Sequence, residues 1–136
     1  IQVIADRKVS AVLGKEIDKA HPNMAEQYRS GRSLRNIRAN LDTLRAAALG
    51  PDGFATLLPP DKAAIKDQIA KAFDATIAAA AAVPDPLDAA VTDPEKRKSV
   101  ETLLKSANAL RTFMTQTVPP ALGLTVGFNA LDGDGL

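Results

Sequence analysis

The sequence predicts an all-α protein: an antiparallel bundle of three long helices and a short N-terminal helix, closed by an irregular C-terminal strap. Aliphatic residues recur at alternating spacings of three and four in three separate stretches, the signature of one helical face. Ala, Leu, Ile and Val supply most of the 46% apolar content, aromatics are 4% and Trp is absent, so the core is aliphatic and helix-compatible. Between these stretches lie Pro- and Gly-rich links in which a helix must stop. A chain of 136 residues supports one core, with about two thirds of the unfolded surface buried.

From Ile1 to about Val12, apolar residues at Ile1, Ile4, Val9 and Val12 predict the short helix, which Gly14 can end. Asp6 lies between the apolar positions beside Arg7 and Lys8 and reads as solvated. The stretch from Lys15 to Ser30 reads as a loop with one helical turn around Met24 to Tyr28, because Pro22 disfavours α conformation at His21. Ser33 is placed as the N-cap of the first long helix, with Leu34, Ile37, Leu41, Leu44 and Ala48 on its seam and Gly50-Pro51 as its stop. Phe54, Leu57 and Leu58 in the following link are expected to plug the bundle end.

Asp61 opens the second long helix, with Ile65, Ile69, Phe73 and Ile77 on one stripe and an alanine run to Pro84. Residues Pro84 to Asp93 read as a crossover loop carrying Leu87, Ala90 and Val91. Asp93-Pro94 is a capped start with proline in the first turn, and Val100, Leu103, Ala107, Leu110 and Met114 mark the third long helix. Pro119-Pro120 is expected to block further helix. The last stretch, Pro119 to Leu136, loses charge and gains glycines around Phe128, Asn129, Asp132 and Asp134. Its bulky apolar residues predict an ordered strap across the bundle, the alternative being a loop that only covers the bundle end.

The chemistry these residues permit is narrow. A net charge of +1 from 17 basic and 16 acidic residues gives no electrostatic basis for nucleic-acid or anionic-membrane binding. Zero cysteines exclude disulfides and thiolate ligands. No apolar run approaches the roughly 18 residues of a membrane helix. His21 is the only histidine, and His21-Pro22-Asn23-Met24-Ala25-Glu26 lacks a carboxylate three or four residues on, so it forms no one-faced metal pair. No Gly-x-Ser-x-Gly surrounds a serine. Haem through His21, Met24 or Met114 competes with the simpler reading of both methionines as core fillers. Asp132-Gly133-Asp134-Gly135 resembles the front of a calcium loop but stops before the bidentate glutamate. Around Tyr28 to Ser33, Arg29, Arg32 and Ser33 flank a helix N-terminus, where backbone N–H groups favour anions; the alternative is a solvated basic turn.

Two segments together carry a resemblance. Tyr28-Arg29-Ser30-Gly31-Arg32-Ser33-Leu34-Arg35-Asn36-Ile37-Arg38-Ala39-Asn40-Leu41, followed by Ala121 to Asp134 and preceded by Ile4-Ala5-Asp6, resembles the C-terminal half of imelysin-like proteins. The resemblance implies a two-domain, all-helical bacterial envelope protein, periplasmic or anchored to the outer membrane through a lipid on an upstream segment, and linked with iron uptake. The chain opens on Ile1 inside a helical pattern, so a processed or partial product is expected. The family's Gly-x-His-x-x-Glu motif belongs to the N-terminal half, which is then the expected partner.

What carries over is a wall of a ligand or metal site: Arg29, Ser30, Ser33 and Asn36 on the first long helix and its approach, with Gly127, Phe128, Asn129, Asp132 and Asp134 in the strap. No catalytic residue and no metal ligand is assigned within this chain, and iron or another divalent metal would belong to the complete protein. The residues favour a binding module. The alternatives are a metallopeptidase whose motif lies in the missing half and a helical interaction domain without a site.

Overall fold

The computed structural model describes residues 1–124, and every regular element within them is helical. The N-terminal helix, α1, is π-helical over Ile4–Ser10 and continues as α-helix over Ala11–Leu13. The long helices are α2 (Ser33–Leu49), α3 (Ala63–Ala82) and α5 (Pro94–Gln116), with the single turns α4 (Leu87–Ala90) and α6 (Val118–Ala121) between and after them. The expected three long helices and one short one are present, and their seams are those read from the sequence.

Helix α3 packs against both α2 and α5, and α1 packs against α5 and, more lightly, α2. Side-chain contacts fix the directions. Arg38, early in α2, reaches the carbonyl of Ala80 at the end of α3, while Arg45, late in α2, meets Asp74 at 2.8 Å. Helices α2 and α3 are therefore antiparallel. By the same logic α1 runs against α5, because Asp6 meets Arg111 at 2.9 Å and the carbonyls of Leu13 and Gly14 meet Arg97. Asp6, expected to be solvated, is thus half-exposed but paired.

The core forms where these seams meet. Leu34, Ile37 and Leu41 from α2, Ile69 and Phe73 from α3, and Val100, Leu103 and Leu110 from α5 are essentially inaccessible. Leu44, Ile65, Ile77 and Met114 lie partly buried against them. Ala79 and Ala80 are buried, so part of the alanine run serves packing. Thr76, also fully buried, satisfies its hydroxyl by donating to the Ala72 carbonyl at 2.9 Å, as a buried polar group must.

Several local expectations are corrected. Ile4 and Val9 are five residues apart, a spacing that a 3.6-residue helix would turn away from one another; the π-helical turn brings i and i+5 onto one face and buries both. The Lys15 to Ser30 loop contains three 3₁₀ turns, Ile17–Lys19, Pro22–Met24 and Tyr28–Ser30, in place of one helical turn. Met24 is 56% exposed and fills no core. Leu57 is 73% exposed, so the bundle end is plugged by Ala55, Phe54 and Leu58 instead. Leu87, Ala90 and Val91 are buried as the crossover settles onto the core through α4. Pro119 and Pro120 do not end helicity: they occupy the first turn of α6, where a missing N–H costs nothing.

Asp93 caps α5 as the sequence indicates, its Oδ1 accepting from the N–H groups of Glu95 at 3.0 Å and Lys96 at 3.1 Å. Those backbone hydrogen bonds, and Lys96 beside them, hold the Asp93 carboxyl below its ordinary value. A depressed carboxylate stabilises the fold at pH above its unfolded value of about 3.9 and loses that contribution as pH falls through its folded value. Asn caps a helix about as well as Asp without titrating. Urea titrations should therefore show a stability gap between wild type and Asp93→Asn that is constant at neutral pH and shifts against wild type below about pH 4.

Two arginines join distant segments by donating to helix-end carbonyls, which otherwise lack partners. Arg97, 6% exposed, donates through Nη1 to the carbonyls of Leu13 at 2.6 Å and Val91 at 3.2 Å, and through Nη2 to Gly14 at 3.0 Å. Its Nε donates to Glu101 at 2.9 Å. Arg38 does the same at the end of α3, donating to the carbonyls of Ala80 and Val83 and to Asp85.

Candidate functional site at the mouth of helix α2

The mouth of α2 is built by a tight approach. Gln27 and Gly31, both in the left-handed region, bracket the 3₁₀ turn Tyr28–Ser30, and Gly31 faces the side chain of Pro86 just before α4. Arg32, not Ser33, is the N-cap residue, and it offers no side-chain acceptor to the first-turn N–H groups. Ser33 lies inside the helix and is buried. Its hydroxyl donates to the carbonyl of Glu26, which ties the approach to the helix instead of capping it. The capping pattern misled because a serine before a helical seam can serve either end of that turn.

The residues assigned to the site are distributed as follows. Arg29 is exposed, its guanidinium 5.8 Å from the centroid of the Tyr28 ring and its Nε donating to the Tyr28 hydroxyl at 3.2 Å. This contact pre-orients the charge. Ser30 is exposed, with its hydroxyl donating to the Gln27 carbonyl at 3.1 Å. Asn36 is half-buried in the first turns of α2. Arg29, Arg32 and Arg35 are all exposed and form no ion pair among the described residues. Arg32, Arg35 and Asn36 thus lie at the N-cap and first turn of α2 and Arg29 in the 3₁₀ turn before it, while the Ser33 hydroxyl is withdrawn into the fold. Gly127, Phe128, Asn129, Asp132 and Asp134 lie outside the described residues.

A helix N-terminus attracts negative charge through its dipole and free N–H groups, and a guanidinium fork can take a carboxylate or phosphate bidentately. The arrangement gives no route to an activated serine, because the protons of Ser30 and Ser33 are committed to carbonyls and not to a base. Among the described residues no group of three or more His, Asp or Glu side chains could hold a metal ion. Asp88 of α4 has a buried Oδ1 without a hydrogen-bond partner among the described residues, a feature with no sequence signal beyond an acidic residue after Pro86. No helix of the described residues is long and apolar enough to cross a membrane.

A family model described as Imelysin matches residues 1–114. That span runs from α1 through nearly all of α5 and includes the whole α2 mouth; the glycine-rich segment from Ala121 onward lies beyond it. No curated protein and no solved structure gives a match. With its helical bundle and a match over most of its length, the chain belongs to the imelysin family.

Proposed function

We propose that this chain is a binding module, the C-terminal half of a two-domain imelysin-like protein, and that the α2 mouth is one wall of a site completed by an N-terminal half bearing Gly-x-His-x-x-Glu. The protein works in the bacterial periplasm, anchored to the outer membrane by a lipid, in the uptake of iron or another metal-bearing ligand. The observation that carries this reading is the cluster of Arg29, Arg32 and Arg35, unpaired among the described residues, at a helix end with no side-chain cap. Arginines take anions, so iron would meet this wall as an anionic chelate, with Asn129, Asp132 and Asp134 of the terminal segment facing the metal or the partner half. Ser33 supports the wall from inside, and Ser30 holds the turn.

Calorimetry on the full-length protein tests the proposal, with ferric citrate as the chelate and zinc or ferrous salts as the free ion. Arg29→Ala should weaken ferric citrate binding about tenfold, the effect of one charge-assisted hydrogen bond. Asp132→Ala should weaken free-ion binding by a similar factor, and neither variant should change the helical circular dichroism. Unchanged affinities would refute the assignment. Cleavage of a peptide by the full-length protein that chelator abolishes would instead place a metallopeptidase site between the halves.

A further inference from the structure

A concavity made of other residues lies between the end of α1, the Lys15 to His21 loop and α5. It measures about 680 Å³, within the range of small-molecule pockets. The chain builds it by a forced turn. Gly14 has φ +65°, and a Cβ there would stand 1.9 Å from the Lys19 carbonyl oxygen, so only glycine lets the loop return this closely. The backbone N–H of His21 then donates to the Val12 carbonyl at 2.8 Å, pinning the far side of the loop to α1.

The lining has two characters. Ala11, Leu13 and Leu104 give an apolar floor, while Lys15, Lys19, His21 and Arg97 bring basic groups to it. Two of the nearby carboxylates are already paired. Glu101 accepts from Arg97 Nε at 2.9 Å, and Glu16 pairs with Lys19 at 3.3 Å at the exposed rim. Arg97 spends its other donors on carbonyls and is nearly inaccessible. Lys15 forms no ion pair among the described residues.

We infer that this cleft binds a small organic oxyanion carried on an apolar body. The carboxylate or phosphate sits between Lys15, Lys19 and the His21 ring, and the apolar portion lies over Leu13 and Leu104. Lys15, Lys19 and Arg97 against the one lining carboxylate, Glu101, leave the concavity with a positive excess that favours a single negative group over a neutral one.

Calorimetry on the 136-residue chain with hexanoate, hexyl phosphate, hexanamide and inorganic phosphate tests this. Hexanoate or hexyl phosphate should bind at least about tenfold more tightly than hexanamide, and the tighter of the two identifies the head group. Inorganic phosphate should bind more weakly than hexyl phosphate. Lys15→Glu should erase the preference for the anion, whereas Lys71→Glu on α3 should leave it intact. Glu16→Gln, which frees Lys19, should strengthen anion binding about two- to threefold, a gain that no purely structural role predicts. Equal affinity for hexanoate and hexanamide, an unaltered preference in a folded Lys15→Glu chain, or no heat from either anion would overturn the inference.

Discussion

Replacing Arg97 by alanine should destabilise the chain by about 3–5 kcal/mol, the usual loss when one member of a buried, hydrogen-bonded charge network is removed. The guanidinium serves the carbonyls of Leu13 and Gly14, which lie 84 and 83 residues away in sequence, and that of Val91. Truncation strands three acceptors, each of which costs about 1–3 kcal/mol if buried without a donor, and removes an aliphatic stem from a packed position. Lysine should not rescue it, since one ammonium cannot reproduce a planar fork that spans two segments. Glu101→Gln should change little, because Glu101 is 53% exposed and its partner keeps the carbonyls. Urea unfolding gives the magnitude. Hydrogen exchange adds a signature: amides of α1 should lose protection in Arg97→Ala more than those of α2 and α3, because α1 is the element that Arg97 fastens.

The second large effect is expected at Phe73. It is the bulkiest of the fully buried side chains, 1% exposed, at the centre of α3, the helix that packs on both α2 and α5. Phe73→Ala should cost about 3–5 kcal/mol through lost transfer energy and the cavity left behind. At this chain length each kcal/mol lowers the melting temperature by about 3–5 °C, so a calorimetric scan should show a drop of about 10–25 °C. Leu57→Ala is the internal comparison. At 73% exposure it should shift the melting temperature hardly at all, although hydropathy alone ranks the two residues as equals.

That contrast shows what one-dimensional patterning carries. The seams of α2, α3 and α5 were readable because each helix repeats its apolar positions over several turns, and the stops at Gly50-Pro51 and the start at Asp93-Pro94 follow from local backbone chemistry. The short segments were not readable in the same way. The five-residue step from Ile4 to Val9 falls between helical periods, and one apolar residue in a link, such as Leu57, has no repeat to say which way it faces. The hydroxyl of Ser33 can serve a cap or a neighbouring carbonyl with the same sequence around it.

Long-range polar contacts were the least visible. Nothing near Arg38 or Arg97 distinguishes them from Arg29 or Arg35, yet the first two close helix ends on distant segments and the others face solvent. The arginine-rich mouth of α2 could be anticipated because its residues are neighbours in sequence. The cleft around Lys15 and His21 could not, because Arg97, Glu101 and Leu104 of its wall come from α5, far downstream in the chain.

The proposal that the terminal segment meets the arginine mouth can be measured directly, because the sequence has no cysteine. Spin labels placed through Arg35→Cys and Gly135→Cys in the 136-residue chain, read by double electron–electron resonance, report whether the two regions are neighbours. If Asp132 and Asp134 complete the wall, the distances should form one narrow distribution below about 20 Å. A broad distribution centred near or beyond the roughly 30 Å diameter of a small domain would contradict it, and the helix mouth would then stand without its carboxylates.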